Sequence, residues 1–276
     1  LSRVQIQALI RDGLVTVNER TVKSSYRLEG GEQVVVRVPV DDDQNGQPVS
    51  EEIPLVVLHE DDHVIVIDKP AGMVVHPAYG HRSGTLVNAI LGRWPQIAEI
   101  SDPERAGIVH RLDKETSGVI VVAKTAEALE NLRAQFKTRT ISKRYIALVD
   151  GMPDTPEGVI DAPIGRDPNQ RKRMAVTRDG RESVTEFHVL ETYAYHSLLE
   201  VFPKTGRTHQ IRVHMAFIGH PVVGDSVYGR RKQRVKMKRH FLHAVSITFT
   251  HPASGEILTV EAPLPVPLQD VLNKLP

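Results

Sequence analysis

A short charged loop between two apolar runs carries the densest set of reactive side chains in the sequence. Residues 108–122 read IVHRLDKETSGVIVV and place Asp113 two positions after Arg111 and beside Lys114. Neighbouring cations favour the charged form of a carboxylate, so Asp113 is a candidate nucleophile or base. The alternative is a solvated loop with surface ion pairs, which is the common state of such charges. The flanking β-branched runs favour buried strands, and Thr-Ser-Gly favours a turn.

A second motif, KTGRTHQIRVHM at residues 204–215, places a glycine turn before a predicted helix. Thr208 is predicted to cap a helix over 209–218. A helix N-terminus close to two arginines, Arg207 and Arg212, favours an anion site.

The same motif holds two histidines, His209 and His214. Their spacing does not match the i, i+4 pattern of two metal ligands on one helical face. We therefore predict no metal site.

The composition is that of an ordinary globular protein. The chain has 276 residues, of which 40% are hydrophobic and 25% are charged, and its net charge is +1. A nucleic-acid-binding chain of this balance must gather its cations on one face. The absence of cysteine fits a reducing compartment, and no apolar stretch reaches membrane-spanning length. We expect a cytoplasmic protein without membrane association.

The pattern of elements predicts three parts. Residues 1–38 form a small module with a helix over 2–11 and strands near 14–18 and 34–38, in which Arg3 and Arg11 are candidate phosphate contacts. Residues 39–54, rich in Asp and Pro, form an acidic linker. Residues 55–276 contain many predicted strands and a few helices, which predicts an α+β domain.

Four strings in this sequence resemble those of one enzyme family. The string RAGIVHRLDKETSG at residues 105–118 resembles the catalytic motif of the RluA/RluD family of RNA pseudouridine synthases, which act on large-subunit ribosomal RNA. Residues 69–72 (KPAG), 143–149 (KRYIALV) and 204–215 resemble further motifs of that family. Residues 1–38 look like part of an S4 RNA-binding module.

The resemblance implies roles for individual residues. Asp113 would be the catalytic carboxylate, Tyr145 would pack on the target base, and Arg212 would pair with Asp113. On an apolar strand face, Tyr145 would otherwise be an ordinary core residue. The KPAG turn is expected mainly to support the catalytic loop. The candidate RNA contacts are Arg111, Arg207, Lys69, Arg171, Arg173, Arg3 and Arg11, and the candidate supports of the site are Leu112, His110 and Leu242. A basic run over 232–239 is predicted to be an exposed loop that touches phosphate.

The implied fold is a mixed, largely antiparallel curved sheet with flanking helices and a central cleft. The implied reaction detaches uracil at N1, turns it and rejoins it to ribose through C5, in a nucleotide flipped out of its stack. It requires no cofactor, and Asp113 would either attack the ribose or remove a proton to give a glycal. We expect a monomer whose partner is ribosomal RNA.

Two alternatives belong to other functional classes. A non-catalytic RNA-binding protein of ribosome assembly would share the cations but would not need Asp113, Tyr145 and Arg212 together. A hydrolase would use Asp113 with a histidine as acid and base.

Overall fold

The computed structural model describes residues 3–37, 48–77, 82–100, 105–170 and 173–276. The chain divides into two compact units, Leu1–Gln47 and Pro48–Pro276. The predicted linker over 39–54 is described only from residue 48 onward. There the Glu51 N–H donates to the Asn88 carbonyl at 3.0 Å, and the Asn88 side chain donates to the Val49 carbonyl. The larger unit therefore holds this end of the predicted linker.

The smaller unit is a helix followed by a three-stranded antiparallel sheet. Helix α1 (Arg3–Arg11) ends at Gly13, whose φ of +73° lets the chain turn so that the Leu14 N–H reaches the Leu9 carbonyl. The strands are β1 (Val15–Val17), β2 (Arg20–Thr21) and β3 (Val34–Val36), in the order β2-β1-β3. The helix and two strands predicted from the sequence are thus present.

The larger unit is built on one mixed sheet, which in the described residues has nine strands. The spatial order is β4-β5-β6-β13-β7-β12-β11-β8, and β14 also pairs with β13. Only the β6–β13 pair among these ladders is parallel. The strands are β4 (Val56–Glu60), β5 (Val64–Lys69), β6 (Ser117–Ala123), β7 (Ser142–Asp150), β8 (Glu157–Asp161), β11 (Val184–Thr192), β12 (His196–Pro203), β13 (Leu242–Thr250) and β14 (Ile257–Glu261), while β9 (Ile164–Arg166) and β10 (Met174–Val176) form a separate hairpin.

Helices cover both faces of this sheet. They are α2 (Leu86–Arg93), a 3-10 helix (Pro95–Glu99), α3 (Ala126–Thr138), α4 (Gln210–Phe217) and α5 (Val266–Leu272). Strand β6 alternates, with Ile120 and Val122 in the core shared with α2 and α4, and Val119 and Val121 in the core shared with α3. A further core on β7 and β12 packs against α5. None of the described helices is long and apolar enough to cross a membrane.

The sequence predicts helix starts at Thr85 and Thr125, and side-chain caps set the starts of α2 and α3 at these residues. The Thr85 hydroxyl accepts the Asn88 N–H, and the Asn88 side chain accepts the Thr85 N–H. The Thr125 hydroxyl accepts the Ala128 N–H. Such caps are readable from sequence because the residue type and its spacing define them.

Two local predictions around the site were wrong. Residues 108–109 are not a strand, since only Ile108 forms an isolated bridge, to Val122. The residue at the N-cap position of α4 is His209 and not Thr208; His209 has a left-handed conformation with φ of +57°, and its side chain makes no capping hydrogen bond.

Candidate active site

The loop that carries Asp113 is closed by a turn and ends at a close strand contact. The Thr116 N–H donates to the Asp113 carbonyl at 3.0 Å. Of the predicted turn residues only Thr116 lies in the turn, because Ser117 and Gly118 already belong to β6. Gly118 has a φ of +112°, and a Cβ there would lie 2.1 Å from the Ala244 carbonyl oxygen. Glycine is therefore required for β6 to lie against β13 and hold the loop in place.

Arg212 of α4 joins two carboxylates. Its Nη1 donates to Asp113 Oδ2 at 2.9 Å, while its Nε and Nη2 donate to Asp225 Oδ2 and Oδ1 at 2.7 and 2.9 Å. The Asp225 and Arg212 side chains are 0% and 6% exposed, whereas that of Asp113 is 16% exposed. The predicted contact between Arg212 and Asp113 is confirmed, but the bidentate partner of Arg212 is Asp225.

The buried pair is held in its charged form. Burial alone would raise the pKa of Asp225, but the Arg212 guanidinium and the N–H groups of Tyr228 and Val227 keep it below its usual value. Burial would likewise lower the pKa of Arg212, yet the two carboxylates raise it. Only Asp113 in this group is left partly open to solvent.

A second layer of contacts links Asp225 to His209. Tyr228, whose N–H donates to Asp225, has its hydroxyl 2.9 Å from His209 Nδ1, and that hydroxyl also accepts the Met174 N–H. His209 Nε2 lies 4.0 Å from Asp113 Oδ2. Burial, the largest effect, lowers the pKa of His209, so the ring is neutral at neutral pH. Left-handed backbone at a residue other than glycine is strained and is typical of functional sites.

Asp113 faces a cavity of about 820 Å³. Its floor includes Tyr145, Leu112 and Leu242. Burial, and then the charge of Asp113, raises the pKa of Tyr145, so its hydroxyl stays neutral. Among the described residues that line the cavity, Asp113 is the one carboxylate, and the cations are Arg105, Arg111, Lys137, Arg139, Lys143, Arg181, Lys204, Arg207 and Arg212. This charge balance suits a polyanion.

The three predicted support residues lie around this cavity. Leu112 and Leu242 are buried in the core beneath it. His110 Nε2 accepts the Val121 N–H at 3.0 Å, and its ring lies 4.9 Å from that of Phe136. Burial, aided by the charge of Lys143, lowers the pKa of His110 to about 3, so the ring is a neutral anchor.

Lys69 was wrongly predicted to contact RNA. It is 0% exposed, and its Nζ donates to the carbonyls of Pro70, Met73 and Lys114 at 2.8, 2.9 and 3.3 Å. Burial lowers its pKa to about 7, opposed first by the charge of Asp113, while three carbonyls match the three protons of an ammonium group. Lys69 therefore fastens the KPAG turn to the catalytic loop, which is the supporting role expected for the motif as a whole.

The other predicted RNA contacts fall into three groups. Arg111 is exposed at the cavity, and Arg207 lines it while its Nε donates to the Glu182 carbonyl at 2.9 Å. Arg173 is placed outside the cavity, with its guanidinium 5.1 Å from the Tyr228 ring centre. Arg11 is exposed in the smaller unit beside Asp12, whereas Arg171 and the side chain of Arg3 lie outside what the structure describes.

The sequence did not reveal His240 and Arg239 as residues that hold the loop of Asp113 in place. His240 Nε2 lies 2.8 Å from the Thr116 hydroxyl, and Arg239 donates to the Glu115 and Leu242 carbonyls. Arg239 was predicted to be part of an exposed basic run, but its guanidinium faces these backbone groups. Within the described ranges no group of three or more His, Cys, Asp or Glu is arranged to hold a metal ion.

Comparison with known proteins defines the class to which this fold and cavity belong. Human RNA Pseudouridylate Synthase Domain Containing 1 superposes with a TM-score of 0.64 at 28% identity, over 80% of this chain and 89% of that one. The family model for RNA pseudouridylate synthases matches residues 63–217, and that for S4 domains matches residues 1–34.

Curated relatives match over nearly the whole chain. An uncharacterized RNA pseudouridine synthase of Chloroflexus aurantiacus is 49% identical over 276 residues, covering 100% of this chain and 86% of the relative. Ribosomal large subunit pseudouridine synthase D of Nitrosomonas europaea is 45% identical over 282 residues, covering 99% and 80%. The chain belongs to the RNA pseudouridylate synthase family and is an isomerase that acts on RNA. The predicted α+β fold with its mixed, largely antiparallel sheet is confirmed.

Proposed function

We propose that this protein converts specific uridines of large-subunit ribosomal RNA to pseudouridine, with Asp113 as the catalytic carboxylate. The observation that carries the proposal is the position of Asp113, which is fixed by Arg212 and is the one carboxylate facing a cavity lined by cations in the described structure. Several relatives bear the name ribosomal large subunit pseudouridine synthase D, which supports this class of RNA. Action on ribosomal RNA would place the protein in the cytoplasm.

The cavity suits a nucleotide that has left its base stack. Its volume of about 820 Å³ lies in the usual range for small-molecule sites. The surrounding arginines and lysines would hold phosphates, among them Arg111 and Arg207. Tyr145 would pack on the flipped base and exclude water, since aromatic rings are the common platform for unstacked bases.

The reaction moves one bond and one proton. The N1–C1′ bond breaks, the uracil turns, a C5–C1′ bond forms, and the proton from C5 is replaced by one gained at N1. The step is neither a redox change nor a hydrolysis, so it does not call for a cofactor. Asp113 would either bond to C1′ or take a ribose proton to give a glycal, and both routes need the carboxylate that Arg212 orients.

We also propose that the protein acts as a monomer. Light scattering of the purified protein tests this directly: a mass of one chain is expected. Activity found only in a dimer would contradict it.

Mapping pseudouridine in ribosomal RNA tests the proposal. An unmodified large-subunit transcript is incubated with the protein, and modified positions are found by chemical adduct formation and primer extension. We expect discrete sites with the parent protein and none with Asp113→Asn, which keeps the shape of the side chain and leaves RNA binding largely unchanged because phosphate contacts dominate affinity.

Glu115→Gln, in the same loop but outside the cavity lining, is the matched control and should retain activity. Turnover by Asp113→Asn within tenfold of the parent would remove Asp113 from its role. RNA binding without modification by the parent would favour the non-catalytic alternative.

A further inference from the structure

One segment outside the cavity lining contains many basic residues and no acidic residue. We call residues 226–239 the basic loop: the stretch SVYGRRKQRVKMKR contains neither Asp nor Glu. Its exposed cations are Arg230, Arg231, Lys232, Arg234, Lys236 and Lys238. Such a run is usually a solvated face, so its relevance depends on whether the fold holds it in a defined shape.

The fold does hold the basic loop, through alternate residues. Val235 and Met237 pack into the core that contains Leu148, Phe241 and Leu268, while residues 234, 236 and 238 are exposed. The Arg234 guanidinium lies 3.8 Å from the centre of the exposed Tyr195 ring. The cations therefore stand in a row on an anchored segment, which reduces the entropy lost when they bind a partner.

Both ends of the basic loop are fastened. The Phe241 N–H donates to the Val223 carbonyl at 2.8 Å, which closes the loop at its base. Gly224 has a φ of +78°, and a Cβ there would lie 2.2 Å from the Arg239 carbonyl. Compact surface loops with closed ends are frequently functional.

The middle of the basic loop packs on the face of the sheet opposite to the target cavity. Its two ends reach the catalytic site, since the Tyr228 hydroxyl lies 2.9 Å from His209 Nδ1 and Arg239 donates to the Glu115 carbonyl. In β7, Tyr145 and Ala147 face the core beneath the cavity, whereas Ile146 and Leu148 face the core on which Val235 and Met237 pack. The sheet therefore separates a nucleotide bound at Asp113 from the exposed cations beside Val235 and Met237, which are Arg234, Lys236 and Lys238. An RNA that touches both must extend around the protein.

We propose that the basic loop binds the phosphate backbone of an RNA segment remote from the target nucleotide, so that the enzyme favours large, folded RNA over short substrates. This rests on the proposed function and names a second surface for the same substrate. The basic loop has no carboxylate of its own, and Arg230 Nε lies 3.8 Å from Asp150 of β7. A row of exposed cations fits a polyanionic backbone, and each bound phosphate contributes a salt-dependent share of affinity.

The test compares two lengths of RNA and three protein variants. The RNAs are an unmodified large-subunit transcript and a short stem-loop cut from it around a mapped uridine. The variants are Lys232→Gln/Lys236→Gln/Lys238→Gln, the charge-retaining Lys232→Arg/Lys236→Arg/Lys238→Arg, and Arg133→Gln, which removes a charge from the exposed side of α3. Binding is measured against salt concentration, and KM and kcat are measured at a fixed salt concentration.

For the glutamine variant on the transcript we expect a KM raised about tenfold or more and a salt slope shallower by roughly 0.7–0.9 for each phosphate that the variant no longer binds. Its kcat, and its KM on the stem-loop, should match the parent. The arginine variant and Arg133→Gln should behave like the parent on both RNAs.

Equal effects on both RNAs, or no effect on either, would overturn the proposal. An unchanged RNA salt slope together with retention of an acidic protein by the loop would also overturn it. The binding arm does not depend on turnover, so a failure of the proposed enzymatic function would show as absent pseudouridine with the length-dependent binding still measurable.

Discussion

The guanidinium of Arg212 makes more hydrogen bonds to one carboxylate than to the other. Two of its three hydrogen bonds go to the fully buried Asp225, and one goes to the partly exposed Asp113. A planar fork fixed on one side by a bidentate partner can present its remaining N–H in one direction only. Asp225 thus acts on Asp113 through Arg212, as a positioning residue.

Arg212 variants should separate stability from catalysis. Arg212→Ala leaves Asp225 buried without its cation, so we expect a loss of about 3–5 kcal/mol in the free energy of unfolding together with loss of turnover. Arg212→Lys keeps a charge but not the fork, so it should retain more stability than activity. Urea unfolding and single-turnover rates measure the two effects, and an Arg212→Lys enzyme that keeps its rate would contradict the need for the fork.

Asp225→Asn should lower kcat and leave KM for RNA unchanged. The substitution replaces one of the two carboxylate oxygens that accept from Arg212 by an NH2 donor and removes the negative charge. The guanidinium then shifts and Asp113 shifts with it, and small misplacements of catalytic groups cost about 100-fold in rate. KM should hold because Asp225 is buried and does not line the cavity.

Asp150→Asn is the matched control for the Asp225 variant. Asp150 is also buried, lies 3.5 Å from His196, and sits on β7 with its side chain on the opposite face from Tyr145. Its replacement should affect stability but not kcat. If both variants lower kcat equally, the effect of Asp225 is a general consequence of destabilisation.

At the scale of single residues, the sequence revealed the partners that carry a local signature. Asp113 and Arg212 each stand in a dense charged motif, and their contact is present. Asp225 is separated from the apolar run PVV by Gly224 and belongs to neither charged motif; a carboxylate close to a buried run was the one hint of its role. Lys69 was misassigned because a lysine is normally exposed, and its burial depends on three carbonyls, one of them from the distant residue Lys114.

At the scale of elements, the junction of β6 with β13 connects the catalytic loop to the core through histidines. His243 Nδ1 lies 2.9 Å from the Ser117 hydroxyl, and His240 Nε2 lies 2.8 Å from that of Thr116. Burial, the largest effect on each, lowers the pKa of both rings to about 4. Both imidazoles at the junction are therefore neutral at neutral pH.

This junction predicts a loss of stability in mild acid. The folded pKa of His243 is about 4 against an ordinary value of 6.5, so between these values the unfolded chain binds a proton that the folded chain does not. Stability present above pH 6.5 is lost as the pH falls towards 4, by at most about 1.4 kcal/mol per pH unit for each such histidine.

His243→Gln should make the free energy of unfolding less dependent on pH, because the contribution of one buried histidine is removed. Urea unfolding at pH 7, 6 and 5 measures it, and His188→Gln, at a half-exposed ring of β11, is the control for the number of histidines. An unchanged slope in His243→Gln would show that the ring is not kept neutral at the junction.

Element boundaries were predictable where one residue type defines them. Thr85 and Thr125 begin α2 and α3 because a capping hydroxyl has a fixed spacing to its partner N–H. The start of α4 was missed because Gln210 uses its side chain to bind the Thr205 hydroxyl and the Arg207 N–H, leaving His209 as the residue at the cap. That arrangement depends on the loop's tertiary partners.

At the scale of the whole molecule, the sequence predicted the class of sheet but not its order. Alternating apolar patterns indicate strands one at a time. The parallel contact of β6 with β13 pairs Ser117 with His243. It requires glycine at position 118, because a Cβ there would collide with the Ala244 backbone. Such long-range pairings follow from the whole chain, which is why the family resemblance, and not periodicity, supplied the mixed sheet.

The two compact units predict a separable contribution to RNA binding. The three apolar cores of the larger unit are built from described residues from Ile53 onward, so a chain lacking residues 1–47 should fold. The smaller unit matches the S4 domain and exposes Arg11, Arg20 and Lys23. Cations on such a module would bind further phosphates.

Deleting residues 1–47 should therefore weaken binding of large-subunit RNA and flatten its salt dependence, with a slope shallower by roughly 0.7–0.9 for each phosphate that the smaller unit would have bound. The thermal unfolding of the larger unit and its kcat on a short stem-loop should be unchanged, which controls for damage to the catalytic fold. The double variant Arg20→Gln/Lys23→Gln in the full chain should give part of the same change in slope. An unaltered slope after the deletion would show that the smaller unit does not contact RNA.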